Sequence, residues 1–205
     1  AERQQAMLNQ LIGDVERGKS LAESAARIGK PFNELLINML RAATGIAKAV
    51  AVAEFVRELV GEGRRVVLYG WHRAVYDIWM ESFDAVIDHR RIRYAMITGS
   101  ETAATKTANV AAFTAPGSDI GVLIVSLRAG AGMDGLQHVC STVVFGELDW
   151  SPKVHDQCTT RLDRDGQKES VQAFFCAAKV GIDPIMVDVC GAKRQQSGPM
   201  MDPDQ

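Results

Sequence analysis

Val122-Leu123-Ile124-Val125-Ser126-Leu127-Arg128-Ala129-Gly130-Ala131-Gly132-Met133-Asp134-Gly135, followed after Leu136 to Ser141 by Thr142-Val143-Val144-Phe145, is the stretch on which the fold turns. Its two short, continuous apolar runs read as strands buried on both faces, as in a parallel sheet. The glycines form a literal G-x-G-x-x-G behind the first run, and Glu147 stands near the place where a dinucleotide-binding fold keeps its ribose carboxylate. Length decides against that reading. Only Leu136 to Cys140 separate Gly135 from Ser141, where the next strand begins, whereas a parallel crossover with its helix needs at least ~10–12 residues. On these residues alone, an ordinary tight turn is as good a reading as a binding loop.

Outward from this stretch, helical patterns alternate with β-branched runs from Thr44-Gly45 onward, the pattern of a parallel sheet with crossover helices. Strands are predicted over Val66 to Tyr69, Arg93 to Ile97, Val122 to Ser126, Thr142 to Phe145 and Val171 to Cys176. Helices are predicted over Ala49 to Val60, Ala74 to Phe83, Ala103 to Phe113, Pro152 to Arg164 and Pro184 to Val189. Residues 1–43 read as helices without a strand. Met7, Leu8, Leu11, Ile12 and Val15 recur at helical spacing, Ser20 to Glu23 is a capping box, Gly29 and Pro31 close the second helix, and Asn33 to Ala43 continues the pattern. Residues 44–191 then form the α/β domain, and 192–205 a flexible tail or docked strap.

The chain has 205 residues, room for one domain plus an appendage at ~100–200 residues per domain. With 47% hydrophobic and 23% charged residues, its composition is globular, not fibrous or disordered. The 23 basic and 25 acidic residues leave a net charge of −2, which gives no bulk attraction to nucleic acid or anionic membrane, so a polyanion needs a local patch. Cys140, Cys158, Cys176 and Cys190 lack metal-site spacing and are expected to be free thiols; no metal site is predicted. No run reaches the ~18 apolar residues of a membrane span and the first residues lack a signal-peptide core, so a cytoplasmic location is expected, nucleoid-associated if the source is bacterial. The absence of an initiating Met suggests an excised piece of something longer.

Downstream of the glycines, Asp149-Trp150-Ser151-Pro152 suits a helix start, and Gln157, Arg161 and Arg164 then fall at i, i+4 and i+7. On one helical face, two guanidiniums and an amide make a fork suited to phosphate oxygens, although such a face is by itself commonly just solvated. The order of the two signals gives more. Gln157-Cys-Thr-Thr-Arg161-Leu-Asp-Arg164-Asp-Gly166-Gln167 resembles the sixth motif, roughly Q-x-x-x-R-x-x-R-x-G-Q, of the C-terminal RecA-like lobe of Swi/Snf-type ATPases in helicase superfamily two. Glu147 to Pro152 is similar to the preceding Trp-Asn-Pro element, and Ser126 to Asp134 to the fifth motif. Val66 to His72 resembles the fourth motif, and Thr98-Gly99-Ser100 with Phe113 the segment after it. Leu40 to Lys48 looks most like the branch holding annealing helicases and their bacterial and phage relatives.

The resemblance implies an α/β fold with a RecA-like parallel sheet flanked by helices and an N-terminal helical appendage. It implies one motor lobe of a DNA-dependent ATPase and double-stranded DNA translocase, inactive alone because the phosphate-binding loop and metal carboxylates belong to the first lobe. ATP and Mg would be held mainly by that N-terminal RecA-like lobe of the same polypeptide. Arg161 and Arg164 would act on the γ-phosphate with Gln157 beside them, and Gly130, Gly132 and Asp134 would line the nucleotide side. Ser126, Arg128, Arg73, His72, Ser100 and Trp150 would contact duplex DNA without reading sequence. The chain departs from the family pattern at Asp134, where Asn is usual, at the inserted Gly135, at Lys106 and at Asp165; Asp163 and Asp165 are also placed to pair with the arginines. The alternatives are a non-catalytic DNA- or partner-binding module on the same fold and, less well supported, a dinucleotide-binding oxidoreductase.

Overall fold

The computed structural model describes residues 30–87, 91–129 and 133–197. The helices expected before Lys30, the glycines Gly130 and Gly132, and the tail beyond Ser197 lie outside the described residues. The chain divides into two compact units, Ala1–Ala43 and Thr44–Gln205, and the second holds the sheet and the candidate site.

Five strands form one parallel sheet in the order β2-β3-β1-β4-β5. They are β1 (Val66–Gly70), β2 (Arg93–Ile97), β3 (Ile120–Ser126), β4 (Thr142–Phe145) and β5 (Gln172–Phe175). The helices are α1 (Lys30–Gly61), α2 (Arg73–Asp84), α3 (Ala103–Thr114), α4 (Pro152–Thr159) and α5 (Asp183–Ser197). The sheet is buried on both faces because its central strands alternate between two cores. Val66, Leu68, Val122, Ile124 and Val144 pack against α1 and α2, whereas Val67, Tyr69, Leu123, Val125 and Phe145 pack against residues of α3, α4 and α5. This is the α/β, RecA-like sheet flanked by helices that the sequence predicts. Between Gly135 and β4 there is only a single 3-10 turn, Leu136–His138, with no crossover helix, and β4 lies beside β1 rather than β3. The dinucleotide reading fails on both counts.

Three boundaries differ from expectation by more than two residues. Thr44-Gly45 does not break α1, which is continuous from Lys30 to Gly61. Gly45 serves close approach instead: a Cβ there would sit 2.7 Å from Glu147 Oε1. The predicted helix Pro152 to Arg164 ends at Thr159. Leu162 turns fully into the core, and Gln167 Nε2 donates to the carbonyls of Cys140 (2.9 Å) and Leu162 (3.2 Å), holding the turn where another helical turn would have run. Helix α5 extends to Ser197, beyond the predicted Val189.

The stretch Leu36–Gly61 of α1 is long and apolar enough, at mean hydropathy 1.4, to meet the length and composition of a membrane span, contrary to the expectation from sequence. Ala49, Val52, Ala53, Val56 and Leu59 are nonetheless buried in the core under the sheet. Spaced three and four apart, they are the inner stripe of a core helix.

Candidate functional site

In an open parallel sheet, ligands meet the loops at the carboxyl ends of the strands. The described candidate side chains lie on such loops, at the adjoining ends of β3 (Ser126) and α2 (Arg73), or on the helix and turn that follow β4. The loop after β1 carries His72, with Arg73 opening α2 just beyond; the loop after β2 carries Ser100, the loop after β3 carries Arg128 and Asp134, and the loop after β4 carries Trp150.

The two arginines of the sixth motif do not share a helical face, because α4 has ended before either. Arg161 is half-buried, and its Nη2 donates to the Ala129 carbonyl at 2.7 Å. Arg164 is 48% exposed; its Nε donates to the Thr160 carbonyl at 3.2 Å, and its Nη1 lies 3.1 Å from Asp134 Oδ1. The pair therefore brackets the glycine-rich loop, with Arg161 at its start and Arg164 at its end. Asp134, rather than Asp163 or Asp165, takes Arg164, so the residue that departs from the family pattern becomes an ion-pair partner. Gln157 is exposed on α4.

Arg128 is 64% exposed, stacks over the Trp71 ring with its guanidinium carbon 5.1 Å from the centroid, and reaches within 3.7 Å of the buried Asp149 carboxylate. Arg73 opens α2 and pairs with Asp77 at 3.3 Å. A cation in the first turn opposes the helix dipole by roughly 0.3–1 kcal/mol, which the i+4 aspartate offsets. Ser126 closes β3, with its carbonyl accepting from Ala129 N at 2.8 Å. Ser100 bonds within its own turn, to Thr98 Oγ1 (3.0 Å) and Glu101 Oε1 (3.1 Å). Burial pushes the Glu101 carboxyl up, but bonds from the Thr98 hydroxyl and amide outweigh it and leave the group below its usual range. Trp150 packs half-buried on the core, so it is part of the scaffold at least as much as a surface contact.

Sequence reasoning did not give the partners of two charged groups, Glu147 and Lys48, at this edge. Glu147, 4% exposed, accepts from the amides of Trp71 (2.7 Å) and His72 (2.9 Å) and bonds the His72 ring at Nδ1 (2.6 Å). The carboxylate that resembled a ribose ligand is thus spent on the loop after β1. Lys48 Nζ lies 2.6 Å from both Asp183 Oδ2 and the Cys176 carbonyl, which ties α1 to the segment between β5 and α5. Neither cluster has a local sequence signal, since its partners are far apart in the chain. All four cysteines are free.

The chain is 28% identical over 144 residues to the bovine SWI/SNF-related matrix-associated actin-dependent regulator of chromatin subfamily A-like protein 1, covering 70% of this chain and 15% of that protein. It is 30% identical over 134 residues to the Arabidopsis thaliana ISWI chromatin-remodeling complex ATPase CHR17, covering 65% and 12%, and 31% identical over 137 residues to the Emericella nidulans chromatin-remodeling ATPase INO80, covering 67% and 8%. Its relatives are Snf2-family chromatin-remodelling ATPases. The chain spans at most 15% of the length of these three proteins. No family model matches it. Among solved structures, the C-terminal part of the Fun30 ATPase domain has the same fold, with a TM-score of 0.56 at 19% identity over 64% of this chain and 41% of that one.

Proposed function

We propose that this chain is the C-terminal motor lobe of a DNA-dependent ATPase that translocates along double-stranded DNA, working against an N-terminal RecA-like lobe of the same polypeptide. One observation carries the reading: in a chain with these relatives, Arg161 and Arg164 hold the two ends of the loop that follows β3. On this reading both guanidiniums exchange loop oxygens for the γ-phosphate oxygens of ATP across an interlobe cleft, and Gln157 orients phosphate or water. Positive charge there counts most in the transition state, where the equatorial oxygens gain negative character.

ATP supplies the phosphoryl group and Mg neutralises its charge. Among the described residues no group of three or more His, Cys, Asp or Glu could hold a metal. On this reading the Mg would be held mainly by the first lobe, with the phosphate-binding loop, while this lobe's arginines meet the phosphate end of the nucleotide.

Arg128, Arg73, His72, Ser126 and Ser100 face the DNA backbone from the strand ends, with Trp150 beside them. Phosphate contacts carry no sequence information, so binding is sequence-independent and falls with salt. The Leu40 to Lys48 segment supports a place near the annealing helicases and their bacterial and phage relatives. Its setting is the cytoplasm, at the nucleoid if the source is bacterial.

The test is duplex-stimulated ATP hydrolysis by the full-length protein. Arg161→Ala and Arg164→Ala should each lower kcat by at least ~100-fold while DNA affinity stays within a small factor, and Arg→Lys should rescue little because an ammonium lacks the planar fork. An alanine variant that hydrolyses at the wild-type rate, or that loses DNA binding with kcat intact, removes that arginine from the mechanism.

A further inference from the structure

The two arginines stand on an irregular turn, so something other than a helix must fix them. The Leu162 and Asp163 amides both donate to the Thr159 carbonyl, at 3.0 and 3.2 Å, where α4 ends and the Leu162 side chain enters the core. A second turn runs from Arg164 to Gln167, closed by the Gln167 amide donating to the Arg164 carbonyl at 3.0 Å. Its third residue, Gly166, has a φ of 94°, which favours glycine, and a Cβ there would meet the His138 ring at 2.5 Å. This turn brings the Gln167 side chain back to the arginine segment. Nε2 donates to the carbonyl of Leu162 (3.2 Å), the residue after Arg161, and to that of buried Cys140 (2.9 Å), just before β4. Cys140 is a fixed point, since its own thiol donates to the Arg65 carbonyl, just before β1, at 3.0 Å. Oε1 of Gln167 accepts the amides of Lys168 (2.9 Å) and Glu169 (3.0 Å). A primary amide offers two donors and two lone pairs. Here two carbonyls face the donors and two N–H groups face the oxygen, so the orientation is fixed and every site is used. Gln167 thus grips the Leu162 carbonyl by its side chain and the Arg164 carbonyl by its backbone, and ties both to the base of β4.

We infer that Gln167 is the positioning residue for the arginine pair, its side-chain amide holding the turn that carries Arg161 and Arg164 against the start of β4. The inference rests on the proposed role of both arginines at the γ-phosphate. A guanidinium rides on a long flexible stem, so its aim depends on where the backbone beneath it is held. A misplacement of ~1 Å at a catalytic group costs on the order of 100-fold in rate. With the Leu162 side chain and the Thr159 bonds still in place, loss of the amide clamp shifts the turn by a fraction of that, and a loss of roughly tenfold is expected. The loss falls on kcat and not on KM, because the arginine charge acts on oxygens that gain negative character in the transition state. A merely structural role predicts otherwise: a lower Tm, with the folded molecules turning over at the normal rate.

The experiment measures duplex-stimulated ATP hydrolysis by the full-length protein well below its Tm, with folding followed by circular dichroism. The chief variant is Q167M, an uncharged side chain of similar length that removes all four side-chain bonds and leaves the backbone bond to Arg164. Gln167 lines an open groove with Ser141, Lys168 and Glu169, so the replacement is not forced into closed packing. In Q167M kcat should fall roughly tenfold, with the KM for ATP and the duplex affinity within about twofold of wild type. Q167E still accepts the two amides but donates to neither carbonyl, and should fall by a similar factor. In the Arg161→Ala background the loss caused by Q167M should be smaller than in the wild type, because residues that act as a unit are not additive. A Q167M kcat within about twofold of wild type, a loss confined to KM, or an equal fold-loss with and without Arg161 would overturn the positioning role. A loss in Q167E alone would be an effect of the new charge and would overturn it too. Should Q167M fail to fold, Q167E carries the test; if neither folds, Gln167 is a structural residue and the inference is overturned. If Arg161→Ala and Arg164→Ala both keep the wild-type kcat, the reading of the arginines itself falls; if they lose it and Q167M does not, only the positioning role does.

Discussion

Gly146→Ala tests the packing that holds the site to the sheet. Gly146 follows β4 and directly precedes Glu147, and its amide donates to the Tyr69 carbonyl at 2.9 Å. A Cβ at this position would lie 2.6 Å from Trp79 Cη2, closer still to Trp79 Cζ2, and 3.1 Å from Val52 Cγ1. Ordinary carbon contacts are ~3.5–4.0 Å, so the indole must retreat by about 1 Å. It has nowhere to go, because Trp79 is fully buried between α1, α2 and the sheet. Overpacking of this kind is destabilising by ~1–3 kcal/mol, and with two close ring atoms the upper end applies. For a domain of this size ~1 kcal/mol moves Tm by about 2–4 °C, so a fall of roughly 6–12 °C is expected in thermal circular dichroism, with the urea m-value unchanged. The clash is with the benzo ring, whose Cζ2 and Cη2 are missing in phenylalanine. Trp79→Phe should therefore be less harmful in the Gly146→Ala background than alone, giving a coupling of at least ~1 kcal/mol. A Tm within about 2 °C of wild type for Gly146→Ala, or strict additivity of the pair, would refute the argument.

Two further outcomes follow from buried groups. Lys48→Ala leaves Asp183, 5% exposed, with the Ala178 amide but without its cation; breaking such a buried pair is destabilising by ~3–5 kcal/mol, and a loss below ~1 kcal/mol by urea denaturation would contradict it. Burial pushes the Cys140 thiol from its ordinary 9.0 up to about 11. A thiol raised on folding contributes fully below pH 9 and loses that contribution as pH rises toward 11, where the unfolded chain ionises more readily. Thermal melts should thus fall between pH 9 and 11, and Cys140→Ala should flatten part of that fall; parallel curves for the two proteins would sink this account.

The parallel sheet was legible because its runs at β1, β3 and β4 are short apolar stretches punctuated by glycine and polar turns, and burial on both faces leaves little else for them to be. Helix ends were less legible. Thr44-Gly45 looks like a boundary because the pattern changes there to helices alternating with β-branched runs, yet Gly45 lies within α1 and lets it approach Glu147, a partner in a distant segment. The i, i+4, i+7 spacing of Gln157, Arg161 and Arg164 suggested one helical face, but spacing carries no word on Gln167, whose side-chain amide donates to the distant Cys140 carbonyl and to that of Leu162 and so holds a turn after Thr159. Side-chain placement at the site was legible by residue type and not by partner. Glu147 meets Trp71 and His72 at separations of 76 and 75 residues, and Arg164 meets Asp134 at 30; contacts made by the sheet's topology leave no local period to read.

The pairing of the cations gives the edge its character. Arg73 with Asp77, Arg128 with Asp149 and Arg164 with Asp134 each set an exposed guanidinium against an acid. Asp149 is buried and is the exception. Where both partners are exposed, as in Arg73–Asp77 and Arg164–Asp134, such a pair is worth about 0–1 kcal/mol, so trading a carboxylate for a phosphate is nearly isoenergetic on the protein side. On the proposed reading that suits a motor, which must release each backbone contact as readily as it makes it. Arg161 is different. It is half-buried and donates to a main-chain carbonyl: on the proposed reading, when Arg161 turns to a phosphate, the Ala129 carbonyl at the start of the loop after β3 loses that donor. Arg164 can change partner without moving the backbone, whereas a change of partner by Arg161 must alter how the DNA-facing loop is held. On the proposed reading, coupling between nucleotide and DNA in this lobe would then run through the first arginine of the motif more than the second.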